Sequence, residues 1–303
     1  MPANEFLSMI RYSLVALLFL LTSINLTAQV EVGITSENGN KNNFSSSDVI
    51  QIKNSKLLVD VPEASRDAFN SALQAVWEIS DFTFSTDDTT DNTGNNNQLV
   101  CSISIEQGQN GLNFVSFCDI TRKNHLGESE RIARFPLQMS ASLNNKLRSQ
   151  AEGSDLRSIV YANPDFHNIT AGLLELNLMA INNQLSLGKT IWLDEDISKG
   201  HLLRNLKDGT LHIPSYCLIK SRHITVKEEE LNEEKLMKKY PYSWDVNRTT
   251  GEGRFLLLSA QTGSTMYIGI IDNISGQIIY QTKKSNQFNL KRSDFKEISK
   301  EVG

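Results

Sequence analysis

The chain has 303 residues, is 39% hydrophobic and 21% charged, and sets 30 Lys and Arg against 35 Asp and Glu for a formal net charge of −5. Those proportions belong to a globular protein large enough for one big domain or two small ones. With 17 Gly and 6 Pro it is neither collagen-like nor low-complexity, and a pI near 5.6 without a long basic run excludes the electrostatic footprint of a nucleic-acid binder.

Arg11 precedes an almost wholly apolar run, residues 13–26, which closes on Thr27, Ala28 and Gln29. A basic start, an apolar core and a small residue before the break read as a secretory signal peptide over residues 1–28. The run is shorter than the about 20 residues a spanning helix needs. The expected mature chain therefore starts at Gln29, is periplasmic or extracellular, and has no stable membrane span after cleavage. Residues 29–48 are polar and aperiodic, which predicts a flexible N-terminus.

The run 56–61 predicts a strand stopped by Pro62. Over 63–79, Ala64, Ala68, Phe69, Ala72, Leu73, Val76 and Trp77 recur at helical spacing, and 81–85 returns to the strand period. The unit is β-α-β. Residues 86–98 are wholly polar and predict a solvated loop. Next, Leu99, Cys101, Ile103 and Ile105 alternate with Val100, Ser102, Ser104 and Glu106, the pattern of a half-buried strand. A four-residue loop at 108–111 would make a hairpin that sets Cys101 opposite Cys118 and Leu99 opposite Ile120.

Short helices are expected near 141–148 and 155–161, and a long buried helix from an Asn168 cap to Leu187, with Gly188 just past its end. Strands are predicted at 190–193, 210–213, 216–220 and 242–247, with a charged helix at 227–239. A meander follows over 254–260, 265–272 and 277–282, and Ser293 is expected to cap a last helix, 294–301. The fold class is α+β, with antiparallel or mixed sheets covered by helices. An N-terminal domain spans 49–188 and a C-terminal one 189–303.

In an exported chain the facing Cys101 and Cys118 are candidates for a disulfide, with Cys217 left odd. His201, His212 and His223 recur at intervals of eleven, but that spacing fits no compact metal-ligand pattern, so no metal or cofactor is expected. No nucleophile elbow, phosphate loop or dinucleotide fingerprint occurs. Asp165 with His167, or Asp194, Glu195 and Asp196, could contribute to a hydrolytic site assembled from distant residues. Tyr240, Tyr242 and Trp244 alternate along an extended segment and could present three rings on one side as a binding surface.

The segments 207–216 (KDGTLHIPSY), 239–245 (KYPYSWD) and 288–295 (FNLKRSDF), together with 57–84, resemble a family of exported Bacteroidota proteins with no assigned activity. The resemblance implies export and supplies no site residues. The function expected from these observations is non-enzymatic binding or cell-envelope assembly with an envelope protein as partner. The rival expectation is a secreted hydrolase.

Overall fold

The computed structural model describes residues 30–85, 98–107, 114–150, 155–220, 229–230, 243–247, 254–262, 265–285, 287 and 289–303. These form two mixed sheets and seven helices, an α+β fold. The first sheet contains β1 (Glu31–Ser36), β2 (Lys41–Asn42), β3 (Lys56–Asp60), β4 (Phe82–Phe84), β5 (Gln98–Gln107), β6 (Phe114–Lys123) and β7 (Ser129–Leu137). Its spatial order is β2-β1-β7-β6-β5-β3-β4.

The β-α-β reading holds. β3 and β4 pair in parallel, and the apolar stripe of α2 (Arg66–Val76) buries Phe69, Ala72 and Leu73. On the sheet face that carries Cys101, Cys118, Ile120 and Phe135, these side chains merge into one hydrophobic cluster with α2 and with α5 (Ala171–Leu187). Burial of such side chains, at about 1.5–3 kcal/mol each, is the main stabilising contribution. Helices α3 (Ala141–Gln150) and α4 (Leu156–Ala162) add Leu143, Leu147, Ile159 and Val160 to the same core.

Of residues 29–48, expected to be flexible, the described ones from Val30 on instead supply β1, β2 and the start of α1 (Ser46–Lys53). Val30, Val32 and Ile34 are apolar in alternation, which is a strand period, and Glu31, Gly33 and Thr35 between them are buried too. The polar neighbours that obscure it are satisfied inside the sheet: Arg131 Nη2 donates to Glu31 Oε1 at 2.8 Å. The capping box of α1 is equally local, since Ser45 Oγ accepts from Asp48 N and Asp48 Oδ2 accepts from Ser45 N.

The β5–β6 hairpin forms, but its register is displaced by two residues from the expected one. Leu99 faces Arg122, Cys101 faces Ile120 and Ile103 faces Cys118. A shift of two preserves which side chains point to which face, so the apolar alternation fits both registers equally well. The observed one brings Arg122 to Asp48 of α1 (Nη2–Oδ1 2.5 Å) and to Glu130 of β7 (3.0 Å). Cys101, Cys118 and Cys217 are all free and buried, which corrects the facing-pair disulfide.

Helix α5 ends at Gly188, as expected, in the left-handed region (φ 62°). Asn168 does not cap it. The cap position is Thr170, and the Asn168 amide ties its loop to β7 by accepting from Gln138 N (2.8 Å) and donating to the Pro136 carbonyl (3.1 Å). The expected strand 190–193 reduces to one bridge, Ile191 to Val32. From there the chain crosses to the second sheet, and Gln281 Nε2 fastens the crossover by donating to the Glu195 carbonyl at 2.8 Å.

The second sheet, in order β12-β9-β13-β14-β15-β8, joins β8 (Ile197–Ser198), β9 (Thr210–Pro214), β12 (Ser243–Asn247), β13 (Phe255–Thr262), β14 (Thr265–Asp272) and β15 (Gln277–Ser285). The last three form the predicted meander. Residues 216–218, expected as strand, belong instead to a 3-10 turn, Ser215–Leu218. The strand β10 (Ile219–Lys220) pairs with β11 (Glu229–Glu230), so the expected helix at 227–239 is not helical at those two residues. The rest of that segment lies outside the described residues.

Helix α6 (Gly200–Leu203) and a 3-10 turn, Arg204–Asp208, lead into β9. Helix α7 (Arg292–Val302) closes the fold, and its capping group is the Asp294 carboxylate, which accepts from Lys291 N at 2.7 Å, rather than Ser293. Its Phe295, Ile298 and Val302 join the main cluster, so one buried core runs through both sheets. No described helix is long and apolar enough to cross a membrane.

Candidate functional site

A surface depression lies where the second sheet begins. A cleft of about 480 Å³ is lined by Asn205 and Asp208 from the 3-10 turn, Thr210 and His212 from β9, and Arg254 and Phe255 at the start of β13. Strand pairing assembles it. β12 and β9 run parallel with Asp245 beside His212, so both side chains leave the same face. His212 Nδ1 stands 2.6 Å from Asp245 Oδ1. The contact is close, but Nδ1 makes no aligned hydrogen bond to a described residue.

Arg254 is held less tightly. Its Nε and Nη2 face the Asp272 carboxylate at 3.4 Å each, and its guanidinium carbon lies 4.9 Å from the centre of the Phe255 ring. About half of the Arg254 side chain remains exposed to the cleft and solvent. The floor is tight because Gly209 abuts Phe255: a Cβ there would fall 2.8 Å from Phe255 Cε2. The side chains of Asn205 and Asp208 make no hydrogen bond or ion pair to another described residue.

A second depression, of about 370 Å³, is lined by Ala64, Ser142, Lys146, Asn163 and Asp165. The hydrolytic expectation meets its nearest approximation here. Ser140 Oγ donates to Asp165 Oδ2 at 2.6 Å, and pairing of Met139 with Phe166 brings His167 alongside. That hydroxyl is already used, because it also accepts from Leu143 N (3.1 Å) and so caps α3.

The remaining candidates occupy structural places. Asp194 pairs with Lys41 at 2.9 Å, and that hydrogen bond holds its carboxyl below the usual range. Asp196 Oδ1 accepts from Lys283 N. Trp244 pairs with Leu211 and packs, half-buried, against the core, while Tyr240 and Tyr242 lie outside the described residues. His201 is exposed on α6, and His223 is outside the described residues. Among the described residues no three His, Cys, Asp or Glu side chains gather as a metal site.

One feature of the interior gave no sequence signal. Lys199, between β8 and α6, is only 4% exposed and its Nζ has no partner among the described residues. Burial, with Lys189 adding repulsion, pulls its ammonium down to about 7.

Sequence reasoning noted His212 but missed the groups that make it part of a cleft. Asp245 and Arg254 arrive through a parallel strand pairing between distant segments, which no local period announces. The chain matches no known protein family, no curated protein and no solved structure.

Proposed function

We propose that this is an exported binding protein of the cell envelope that uses the His212–Arg254 cleft to hold its ligand or partner. The observation that carries the reading is the pre-arrangement of that cleft. Its imidazole lies against Asp245 and its guanidinium rests between Asp272 and Phe255. Its remaining polar groups are left available, and side chains held in this way lose less entropy on binding. The groups a hydrolase would draw on are otherwise engaged: the Ser140 hydroxyl caps a helix, Asp194 and Asp196 brace the crossover, and the thiols are buried. Export rests on the apolar run 13–26 and on the resemblance of 207–295 to exported proteins.

Native mass spectrometry of the protein released gently from its own cell envelope tests this reading. The expected species is a chain beginning at Gln29 that carries a bound partner or small molecule. A chain that keeps residues 1–28, stays in the cytoplasm and carries nothing would refute it. Turnover of ester, peptide or glycoside substrates, abolished by His212→Ala, would establish the hydrolase in its place.

A further inference from the structure

The charges around the cleft narrow what can enter it. Three carboxylates, Asp208, Asp245 and Asp272, stand against one guanidinium and one imidazole. An anionic ligand aimed at the exposed half of Arg254 would be repelled by Asp272, 3.4 Å from the guanidinium, and would face Asp208 across the opening. A cation drawn to Asp208 would lie beside Arg254, whose charge Asp272 only partly offsets at 3.4 Å. Neither sign of charge is favoured.

What the cleft offers instead is alternation. Asp208 can only accept hydrogen bonds and Arg254 can only donate, whereas Asn205, Thr210 and His212 can do both. A hydroxyl is itself donor and acceptor, so a ligand with several neighbouring hydroxyls can satisfy such a mixed set without leaving a buried group unpaired. About 480 Å³ is far more room than an ion needs and falls in the range of small-molecule clefts. Resting on the binding function proposed above, we infer that the cleft is a saccharide site that takes a neutral mono- or disaccharide unit, with Asp208 and Arg254 as its principal acceptor and donor.

The full mature chain applied to an array of neutral, uronic-acid-bearing and sulfated oligosaccharides tests this. Titration calorimetry with each retained sugar at 50 mM and 500 mM NaCl follows. The expected result is retention of neutral sugars with less than a twofold change in affinity across that salt range. Asp208→Ala should weaken binding at least tenfold while far-UV circular dichroism and the unfolding midpoint stay close to the parent's, and Arg254→Ala, which also leaves the buried Asp272 without its ion-pair partner, should weaken it as much at a temperature where far-UV circular dichroism shows it folded. Retention of acidic sugars alone, released by salt, overturns the assignment of a neutral ligand. If no sugar binds, but amino acids or dicarboxylates raise the unfolding temperature and Arg254→Ala abolishes that rise, the saccharide assignment fails and the binding function stands. If neither sugars nor these small molecules bind, the saccharide assignment fails, and the binding function stands or falls with the native mass spectrum described above.

Discussion

The sulfur of Cys101 lies 3.5 Å from that of Cys118, across a diagonal of the β5–β6 ladder rather than between directly facing residues. Diagonal neighbours hold their Cα atoms about 7–8 Å apart, beyond the about 6.8 Å a disulfide spans. The thiols therefore pack as a buried pair. Burial raises Cys118 well above the ordinary thiol range and Cys217 to about 11, so thiolate is scarce at neutral pH. Alkylation under native conditions at pH 8 should be negligible, whereas denaturation without reductant should expose all three thiols to label. A denatured protein that accepts one label and weighs two hydrogens less would show that the bridge forms.

Lys199 predicts a pH dependence of stability. Its folded value of about 7 lies below the ordinary lysine value of about 10.4. Between those limits the unfolded chain binds the proton and the folded chain does not, so stability rises with pH. Below about 7 both states are protonated and the penalty of burying the charge is fully present. Lys199→Met should stabilise the fold at pH 6 by about 1–3 kcal/mol and flatten the rise between pH 7 and 10. Urea unfolding at several pH values measures both effects, and an unchanged slope in the variant would assign the dependence to other groups.

Arg122 is 5% exposed and joins α1 to β7 through Asp48 and Glu130, with Gln51 accepting from its Nη1. Burial pushes the Asp48 carboxyl up, but hydrogen bonds from Ser45 and Arg122 outweigh it and leave it below its ordinary value. A depressed carboxyl contributes stability above its unfolded value, about 3.9, and loses it as pH falls through the folded one. Arg122→Ala should cost about 3–5 kcal/mol, because two part-buried carboxylates lose their partner. Asp48→Asn should cost less and should reduce the loss of stability between pH 5 and 3, read by chemical denaturation.

Gly33 sits under the indole of Trp192, where an added Cβ would fall 2.5 Å from Cη2. Lys41 Nζ, on β2, lies 4.8 Å from that ring's centre. Gly33→Ala should displace the indole and destabilise the protein by about 1–3 kcal/mol, with a changed near-UV circular dichroism signal from tryptophan. Trp192→Leu in the same background should recover part of the loss, and failure to recover any would place the strain elsewhere.

The parts of the fold that could be read from the sequence are those in which one local period dominates. The unit β3-α2-β4 and the meander β13-β14-β15 follow from alternation and helical spacing alone. β1 and β7 escaped because their charges are paired across the sheet. Glu31, Arg131 and Arg134 look solvated until Arg131 reaches Glu31 and Arg134 reaches Asp119 at 2.9 Å. Pro136 added to the disguise of β7, although it lies past the last residue that pairs with β1. The hairpin register escaped for a different reason, since a two-residue shift is invisible to a period of two. The cleft was hidden because it depends on β12 entering the sheet parallel to β9.

The position of β1 also sets the order in which the chain can be completed. The strand lies between β2 and β7, and the Arg131–Glu31 pair spans 100 residues of sequence. Its inner edge has no partner until β7 is available, and closing so long a loop slows folding. During synthesis the first sheet must stay open while more than a hundred residues emerge. For a chain proposed to cross a membrane before it folds, that delay is an advantage: the segment next to the leader cannot be trapped early in a finished sheet.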